Sequence, residues 1–314
     1  MKAVLNHRAS PGLRAHLLER VPTWLSVVVV DEDDRSGLNA ELRDAQVLLH
    51  TLEPVTAAVI EAAPALRLIQ KIGVGLNTID LEAARRRGVA VTNMPGTNTA
   101  AVAELTLGLM LSALRRIPHL DKATRAGAGW ALENGMFDRI GEVAGRTVGL
   151  IGYGAVASRL APVLKALEAT VLYTATSSKP GAVAEWAVLD DLLARSDIIS
   201  LHLPLTAETA GMLDRRRLGL MRPGAVLVNT ARGALVDEEA LIEALTDGRL
   251  GAAALDVFAA EPVDPASPLL RLDNVVVTPH VAWLTPETLR RSIEVAIDNC
   301  RRLRDGEDLL NRAV

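Results

Sequence analysis

The stretch TVGLIGYGAVASRL, Thr147 to Leu160, decides how the rest of the chain is read. An apolar run, a turn carrying two glycines and the start of an amphipathic segment follow without a break, which spells strand, turn and helix. Gly152, Gly154 and Ala157 form the pattern G-x-G-x-x-A in that context. The first glycine allows a tight turn and the second lets backbone come close to a pyrophosphate. The third position needs only a small side chain where helix packs on strand, so alanine serves there. A diphosphate would sit on the N–H groups near Ala155 and Val156, where the helix dipole and unpaired donors favour an anion. The turn comes late, however, with almost half of the chain already behind it.

The residues before it account for that delay. KAVLN, SVVVVD, AQVLLH, LRLIQKIG and GVAVTN are five strand-like runs, separated by helical segments such as Thr56 to Ala63 and Leu81 to Arg87. After them NTAAVAELTLGLMLSALRRI reads as a long apolar helix opened by an Asn/Thr cap. From Thr147 a second series runs TVGLIGY, TVLYTA, WAVL, DIISLHL, AVLVNTA, GAAALDV and NVVVTPH, enough for a complete doubly wound sheet. The closing amphipathic helix, TPETLRRSIEVAIDNCRRL, has no sheet left to extend and is expected to return to the first series. The fold class is therefore α/β, with two Rossmann-like or flavodoxin-like domains built on parallel sheets. Residues 1–96 and 285–314 are expected to form a discontinuous substrate-binding domain, and residues 97–284 a dinucleotide-binding domain inserted into it.

Composition agrees with an ordinary globular protein: 314 residues, 49% apolar, 23% charged and a formal charge of -4. One large barrel also fits that length, but no basic tract suggests nucleic acid. The longest apolar stretch, LTLGLMLSAL, is about half of the ~20 residues a membrane span requires, and MKAVLNHRASPG has no signal-peptide core. A cytoplasmic location is expected. The single cysteine, Cys300, excludes an intrachain disulfide framework and lies in a helical pattern, where an inert packing role is expected.

An NAD-binding fold places an acidic residue about 20 positions after the turn to hold the ribose hydroxyls. Here the second strand ends in VLYTATSSKP, and no carboxylate follows until Glu185. Thr174, Thr176 and Ser177 offer small hydroxyls and Lys179 a cation, so a 2′-phosphate is accepted there; NADP(H) is favoured over NAD(H). Ligands of such sheets lie beyond the carboxyl ends of the strands, where Arg232, Asp256, Glu261 and His280 fall. Hydride transfer to a carbonyl needs a proton donor, a cation for an anionic substrate and a fixed nicotinamide. His280 suits the first role, Glu261 would orient it and raise its affinity for a proton, and Arg232 would bind carboxylate and carbonyl oxygens. Asp256 would accept a bond from the nicotinamide amide. His7, His16, His50 and His119 lack metal-ligand spacing and are expected to be solvated or structural. His202, at a strand end, is expected to be structural or cofactor-adjacent.

At these residues the chain resembles the D-isomer-specific 2-hydroxyacid dehydrogenase family, in its glyoxylate/hydroxypyruvate reductase-like subgroup. The resemblance rests on KIGVGLNTID, NTAAVAE, GLIGYGAVA, SLHLPLTAET, LVNTARGALVDEEAL, ALDVFAAEP and VTPHVAW, in that order along essentially the whole chain. It implies that Arg232 binds substrate, that Glu261 pairs with His280 as the acid/base, and that Asp256 contacts nicotinamide. It also implies that the backbone N–H groups of Val74 and Gly75 hold the substrate carboxylate, and places His202, Pro204, Thr209, Thr230 and Ala231 with the cofactor. Leu76 stands in a stretch where the family often has VDN, and LHTLEP lacks the family's usual serine or arginine. Leu52, Leu76 and Trp283 are thus the selectivity residues, with core packing an equal alternative. The resemblance implies a small 2-oxo acid as substrate, domains that close about the cofactor, and a homodimer with residues 130–137 at its interface. A cofactor-sensing scaffold resembling the carboxy-terminal binding corepressors, and an enzyme oxidising phosphite, are the alternatives.

Overall fold

Two parallel sheets carry the chain, one in each of its two units. The computed structural model describes residues 1–131 and 134–314, and separates Met1–Asn98 with Trp283–Val314 from Thr99–Ala282. The cuts fall two residues inside the expected limits of the inserted segment, because Trp283 packs in the core of the first unit with Leu5, Leu49 and Ile293. Of the expected homodimer segment 130–137, residues 132 and 133 lie outside the described residues; Trp130, before them, is 90% exposed.

In the first unit, strands β1 (Lys2–Asn6), β2 (Ser26–Val30), β3 (Val47–His50), β4 (Leu68–Lys71) and β5 (Ala90–Thr92) pair in the order β2-β1-β3-β4-β5. Near-continuous apolar runs suit them, since a parallel sheet is covered on both faces. Helices α1 (Pro11–Arg20), α2 (Arg35–Leu42), α3 (Ala57–Glu61) and α4 (Leu81–Arg87) connect them. Capping side chains set several starts: Ser10, Asp34 and Asp80 each accept from the N–H three residues on, and Gly88 ends α4 in the left-handed region.

The second unit begins with α5 (Thr99–Leu114) and α6 (Ile117–Arg125). Its strands are β6 (Thr147–Ile151), β7 (Thr170–Thr174), β8 (Glu185–Trp186), β9 (Ile198–Leu201), β10 (Ala225–Asn229), β11 (Leu250–Leu255) and β12 (Val275–Val277). Helices α7 (Ala155–Ala166), α8 (Leu189–Arg195), α9 (Arg215–Leu220) and α10 (Glu238–Thr246) lie between them. The order β12-β11-β10-β9-β6-β7-β8 is the doubly wound arrangement, whose switch point lies between β6 and β9. Against β6, α7 buries Ala157, Leu160 and Leu164; each leucine so covered contributes about 1.5–3 kcal/mol. Ala157 has no exposed surface, the reason a small residue is needed there.

The last helix, α11 (Pro286–Asp305), belongs to the first unit, as the pattern of TPETLRRSIEVAIDNCRRL requires. Cys300 is fully covered on it, and burial pushes its thiol up to about 12, so it is an inert core residue. Beside it, the buried Asn299 donates to Gln70 Oε1 at 2.6 Å and to the Leu310 carbonyl at 3.2 Å, and accepts from Leu310 N–H at 2.8 Å. That amide joins β4, α11 and the C-terminal tail. Asn299→Ala leaves Leu310 N–H and carbonyl without their partner, and the expected loss is about 2–4 kcal/mol in urea unfolding, with faster amide exchange at Leu310. A loss below about 0.5 kcal/mol, the scale of an ordinary surface change, would show the junction to be dispensable.

Candidate active site

The glycine turn lies at the switch point of the second sheet. Gly152 has φ +94° and follows β6, while the residue after β9, His202, donates its N–H to Ile151 O at 2.7 Å. A Cβ on Gly152 would stand 2.5 Å from the His202 carbonyl oxygen, so the turn needs glycine for both conformation and space. Gly154 is different: among the described residues, no atom beyond its chain neighbours and its own helix lies within 4 Å of where its Cβ would be. It is the N-cap of α7 and offers no capping side chain. The first N–H groups of α7, at Ala155 and Val156, thus stand beside open space, which fits an anion.

Beyond β7, Thr174 is half-buried and Thr176, Ser177, Ser178 and Lys179 are exposed. The next carboxylate, Glu185, pairs with Arg195 at 2.8 Å. The loop itself thus carries no acidic residue. His202 is held by Ser200 Oγ at 3.0 Å, and burial pushes its imidazole down to about 4, so it is a neutral ring at pH 7. Thr209 closes a local turn, donating to Pro204 O at 2.8 Å and accepting from Thr206 N–H at 2.8 Å. Thr106 Oγ donates to Val102 O at 2.7 Å, so the Thr230 hydroxyl, 2.8 Å away, donates to Thr106 and ties the end of β10 to α5.

The segments after β10, β11 and β12 carry Arg232, Glu261 and His280. His280 Nδ1 lies 2.6 Å from Glu261 Oε2, and Glu261 Oε1 accepts from Phe258 N–H at 3.0 Å. Burial pushes the Glu261 carboxyl up, but bonds from His280 and Phe258 and the charges of His280 and Arg232 outweigh it, and its pKa is lowered. An ionised carboxylate only accepts, so Nδ1 carries the hydrogen and Nε2 is left as the nitrogen that gains or loses a proton. Burial pulls the Arg232 guanidinium down and the nearby Glu261 charge raises it, with a net lowering. Thus Arg232, Glu261 and His280 form one electrostatic group.

Three features hold this group in place that the sequence reading did not single out. Asn229, at the end of β10, donates to Arg232 O at 2.9 Å and accepts from Ala231 N–H at 3.0 Å. A Cβ on Gly233 would fall inside the Phe258 carbonyl group, so only glycine lets this loop pass. Thr278 donates to Asp256 Oδ1 at 2.6 Å. Position beside a strand end was the available signal for each.

Asp256 has no exposed surface. Its Oδ1 also accepts from Val281 N–H at 2.9 Å and its Oδ2 from Ala282 N–H at 2.9 Å, while its carbonyl accepts from His280 N–H at 2.8 Å. Burial pushes this carboxyl up, and the bonds from Thr278, Ala282 and Val281 pull against it. His280 has φ +53°, a left-handed backbone that carries about 1–3 kcal/mol of strain for a residue other than glycine. Asp256 therefore anchors the backbone at His280, in addition to the nicotinamide contact expected of it.

In the first unit the N–H groups of Val74 and Gly75 donate to no backbone carbonyl among the described residues, and Val74 is 46% exposed. Asn93 holds this loop by donating to Val74 O at 2.8 Å. Leu52 packs beside the core that contains Trp283, and Leu76 against that of Val4 and Ile69, so both have packing roles. Trp283 is 8% exposed, with its ring 6.0 Å from that of His7. His7 pairs with Glu32 at 2.9 Å, and buried His50 is pushed down to about 3 by burial and by the Lys71 charge. Among the described residues no group of three His, Cys, Asp or Glu could hold a metal ion, and no helix is long and apolar enough to cross a membrane.

Comparison with known proteins agrees with this geometry. The family model described as D-isomer specific 2-hydroxyacid dehydrogenase, NAD binding domain, matches residues 107–282. The glyoxylate reductase of Aeropyrum pernix is 40% identical over 288 residues, 88% of this chain and 86% of that one. The D-3-phosphoglycerate dehydrogenase of Mycobacterium tuberculosis is 41% identical over 283 residues, 88% of this chain but 53% of its own length. Among solved structures, the TT0316 protein from Thermus thermophilus superposes with a TM-score of 0.89 at 37% identity, covering 100% of both chains.

The two glycines of the turn separate fold from binding. Gly154→Ala is expected to melt as the wild type does but to bind NADPH and NADH at least about tenfold more weakly, a difference of about 1.4 kcal/mol. Gly152→Ala is expected to lose stability as well, by about 1–3 kcal/mol from backbone strain alone. Calorimetric titration and thermal melting of both variants check this, and unaltered binding by Gly154→Ala would remove the anion cradle.

Proposed function

This chain belongs to the D-isomer specific 2-hydroxyacid dehydrogenase family, and from that premise we propose that it reduces a small 2-oxo acid, glyoxylate or hydroxypyruvate, to the D-2-hydroxy acid, with NADPH preferred over NADH. The observation that carries this reading is the His280–Glu261 pair at 2.6 Å with the Arg232 charge acting on the same carboxylate. Glyoxylate reductases among the relatives support the substrate class. The open space at Gly154 and the uncapped start of α7 support the cofactor site.

When bound, the reduced nicotinamide supplies a hydride to the carbonyl carbon. Gly152, Gly154, Ala155 and Val156 would take the pyrophosphate, and Thr174, Thr176, Ser177 and Lys179 the phosphorylated ribose. His202, Pro204, Thr209, Thr230 and Ala231 would line the remainder, with Asp256 at the nicotinamide amide. Arg232 holds the substrate's carboxylate and carbonyl oxygens through its planar fork, and Val74 and Gly75 N–H groups serve as further carboxylate donors. The carbonyl oxygen takes its proton from His280 Nε2 as charge develops there. Glu261 remains ionised throughout, which fixes the ring and stabilises the imidazolium before transfer. Reduction consumes the proton on Nε2, and oxidation requires that nitrogen free.

A panel of glyoxylate, hydroxypyruvate and 3-phosphohydroxypyruvate, each with NADPH and NADH, tests this; the phosphorylated acid is included because phosphoglycerate dehydrogenases are equally similar. The expected ranking puts the two smaller acids first with NADPH. His280→Ala and Arg232→Ala are expected to lose about 10²–10⁴ in kcat/KM while folding normally. Wild-type turnover in either variant would overturn the residue assignments, and a tenfold advantage for NADH would overturn the cofactor preference.

A further inference from the structure

Tyr173 is used by nothing described so far. It is the residue before the end of β7, is 1% exposed, and could be replaced by phenylalanine as far as strand packing is concerned. Its hydroxyl, however, accepts the backbone N–H of Lys179 at 2.6 Å. That bond closes the loop of small residues after β7, from Ala175 to Ser178. Further ties at this loop are a 3.3 Å bond from Trp186 Nε1 to Ala175 O and the 2.9 Å bond from Gly152 N–H to Thr174 O.

The ring has a second neighbour. Tyr153, which separates Gly152 from Gly154, stacks on Tyr173 with centroids 4.1 Å apart and a tilt of 33°. Tyr153 is itself partly covered, and burial raises its phenol. One buried side chain therefore touches the glycine turn with its face and holds the ribose loop with its oxygen. A buried tyrosine oxygen normally needs a partner, and here the partner is the backbone of a loop that carries exposed hydroxyls and a cation.

We propose that Tyr173 is a positioning residue for the adenosine end of the cofactor: its hydroxyl sets the 174–179 loop, and its ring keys that loop to the pyrophosphate turn. The inference rests on the dinucleotide reading of this site but not on which dinucleotide is preferred. A loop of Thr, Ala and Ser has little packing of its own, so without the latch it samples other conformations, and binding must then select the competent one.

The test is Tyr173→Phe in the full chain, which keeps the ring and removes the oxygen. Dissociation constants for NADPH and NADH, kcat at saturating cofactor, thermal midpoint and amide exchange at Lys179 are measured. The cofactor that the wild type binds more tightly is expected to bind about five- to tenfold more weakly, the loss appropriate to one hydrogen bond. Saturated kcat is expected to stay within about twofold and the Lys179 amide to exchange faster. Unchanged affinity overturns the proposal, whether or not the midpoint falls, because Tyr173 is then only a core residue. A fall in kcat equal to the rise in dissociation constant also overturns it. A wild-type preference for NADH would refute the NADPH reading while leaving this comparison decisive.

Discussion

The approach of Gly152 to the carbonyl of His202 is the constraint on which the second unit depends. At that point β6 and β9 run side by side while their following loops leave in different directions, as the order β12-β11-β10-β9-β6-β7-β8 demands. A Cβ at 152 would lie 2.5 Å from the His202 oxygen, so any other residue pushes the two strand ends apart. Because the approach is possible, α7 starts directly behind the turn, with no capping side chain at its first N–H groups. Gly154 then stands where its surroundings leave room. The fold requires glycine at 152 and leaves room for a side chain at 154, although the sequence pattern makes the two look equivalent.

A different device fixes the group of Arg232, Glu261 and His280. Buried carboxylates are unfavourable unless hydrogen-bonded, and Asp256 meets that condition with Thr278, Val281 and Ala282. Those same bonds hold His280 at φ +53°, against strain of about 1–3 kcal/mol. On the neighbouring strand Asn229 grips the backbone on both sides of Arg232 in the same manner. Arg232 and His280 are thus mounted on irregular backbone, yet that backbone is braced by buried polar groups at the ends of β10 and β11. Precision comes from the strand ends rather than from the loops themselves.

This division explains what could be read from sequence. Apolar runs are long-range in meaning but local in form, so most of the strands and the long helices α5, α7 and α11 appear where their patterns lie; WAVL is the exception, with only Trp186 in β8 and Leu189 already opening α8. The pairing of His280 with Glu261 was equally legible. Residues that act through backbone were not: Asn229 is one asparagine in a turn, and the need for Gly233 arises only because Phe258 passes behind it. Tyr173 looked like any aromatic of a buried strand until its oxygen met Lys179. Trp283 was read as belonging to the inserted segment and as a selectivity residue in equal measure with core packing, and burial to 8% places it in a core. In each case the deciding contact joins residues distant in sequence or atoms of the main chain, which periodicity does not encode.

The charges of Arg232, Glu261 and His280 also bear on the class of molecule they suit. With His280 protonated, the two cations His280 and Arg232 act on the Glu261 carboxylate, and His280 acts on the buried Asp256 as well. Burial already disfavours the Arg232 cation. A monocarboxylate brings a negative charge, relieves that penalty, and leaves the proton on His280 as the mobile one. A neutral ketone would leave that penalty as it was while displacing the water that screens the cation. A carboxylate thus suits the buried Arg232 cation better than a neutral carbonyl group does, whatever the pocket wall selects among acids of different size.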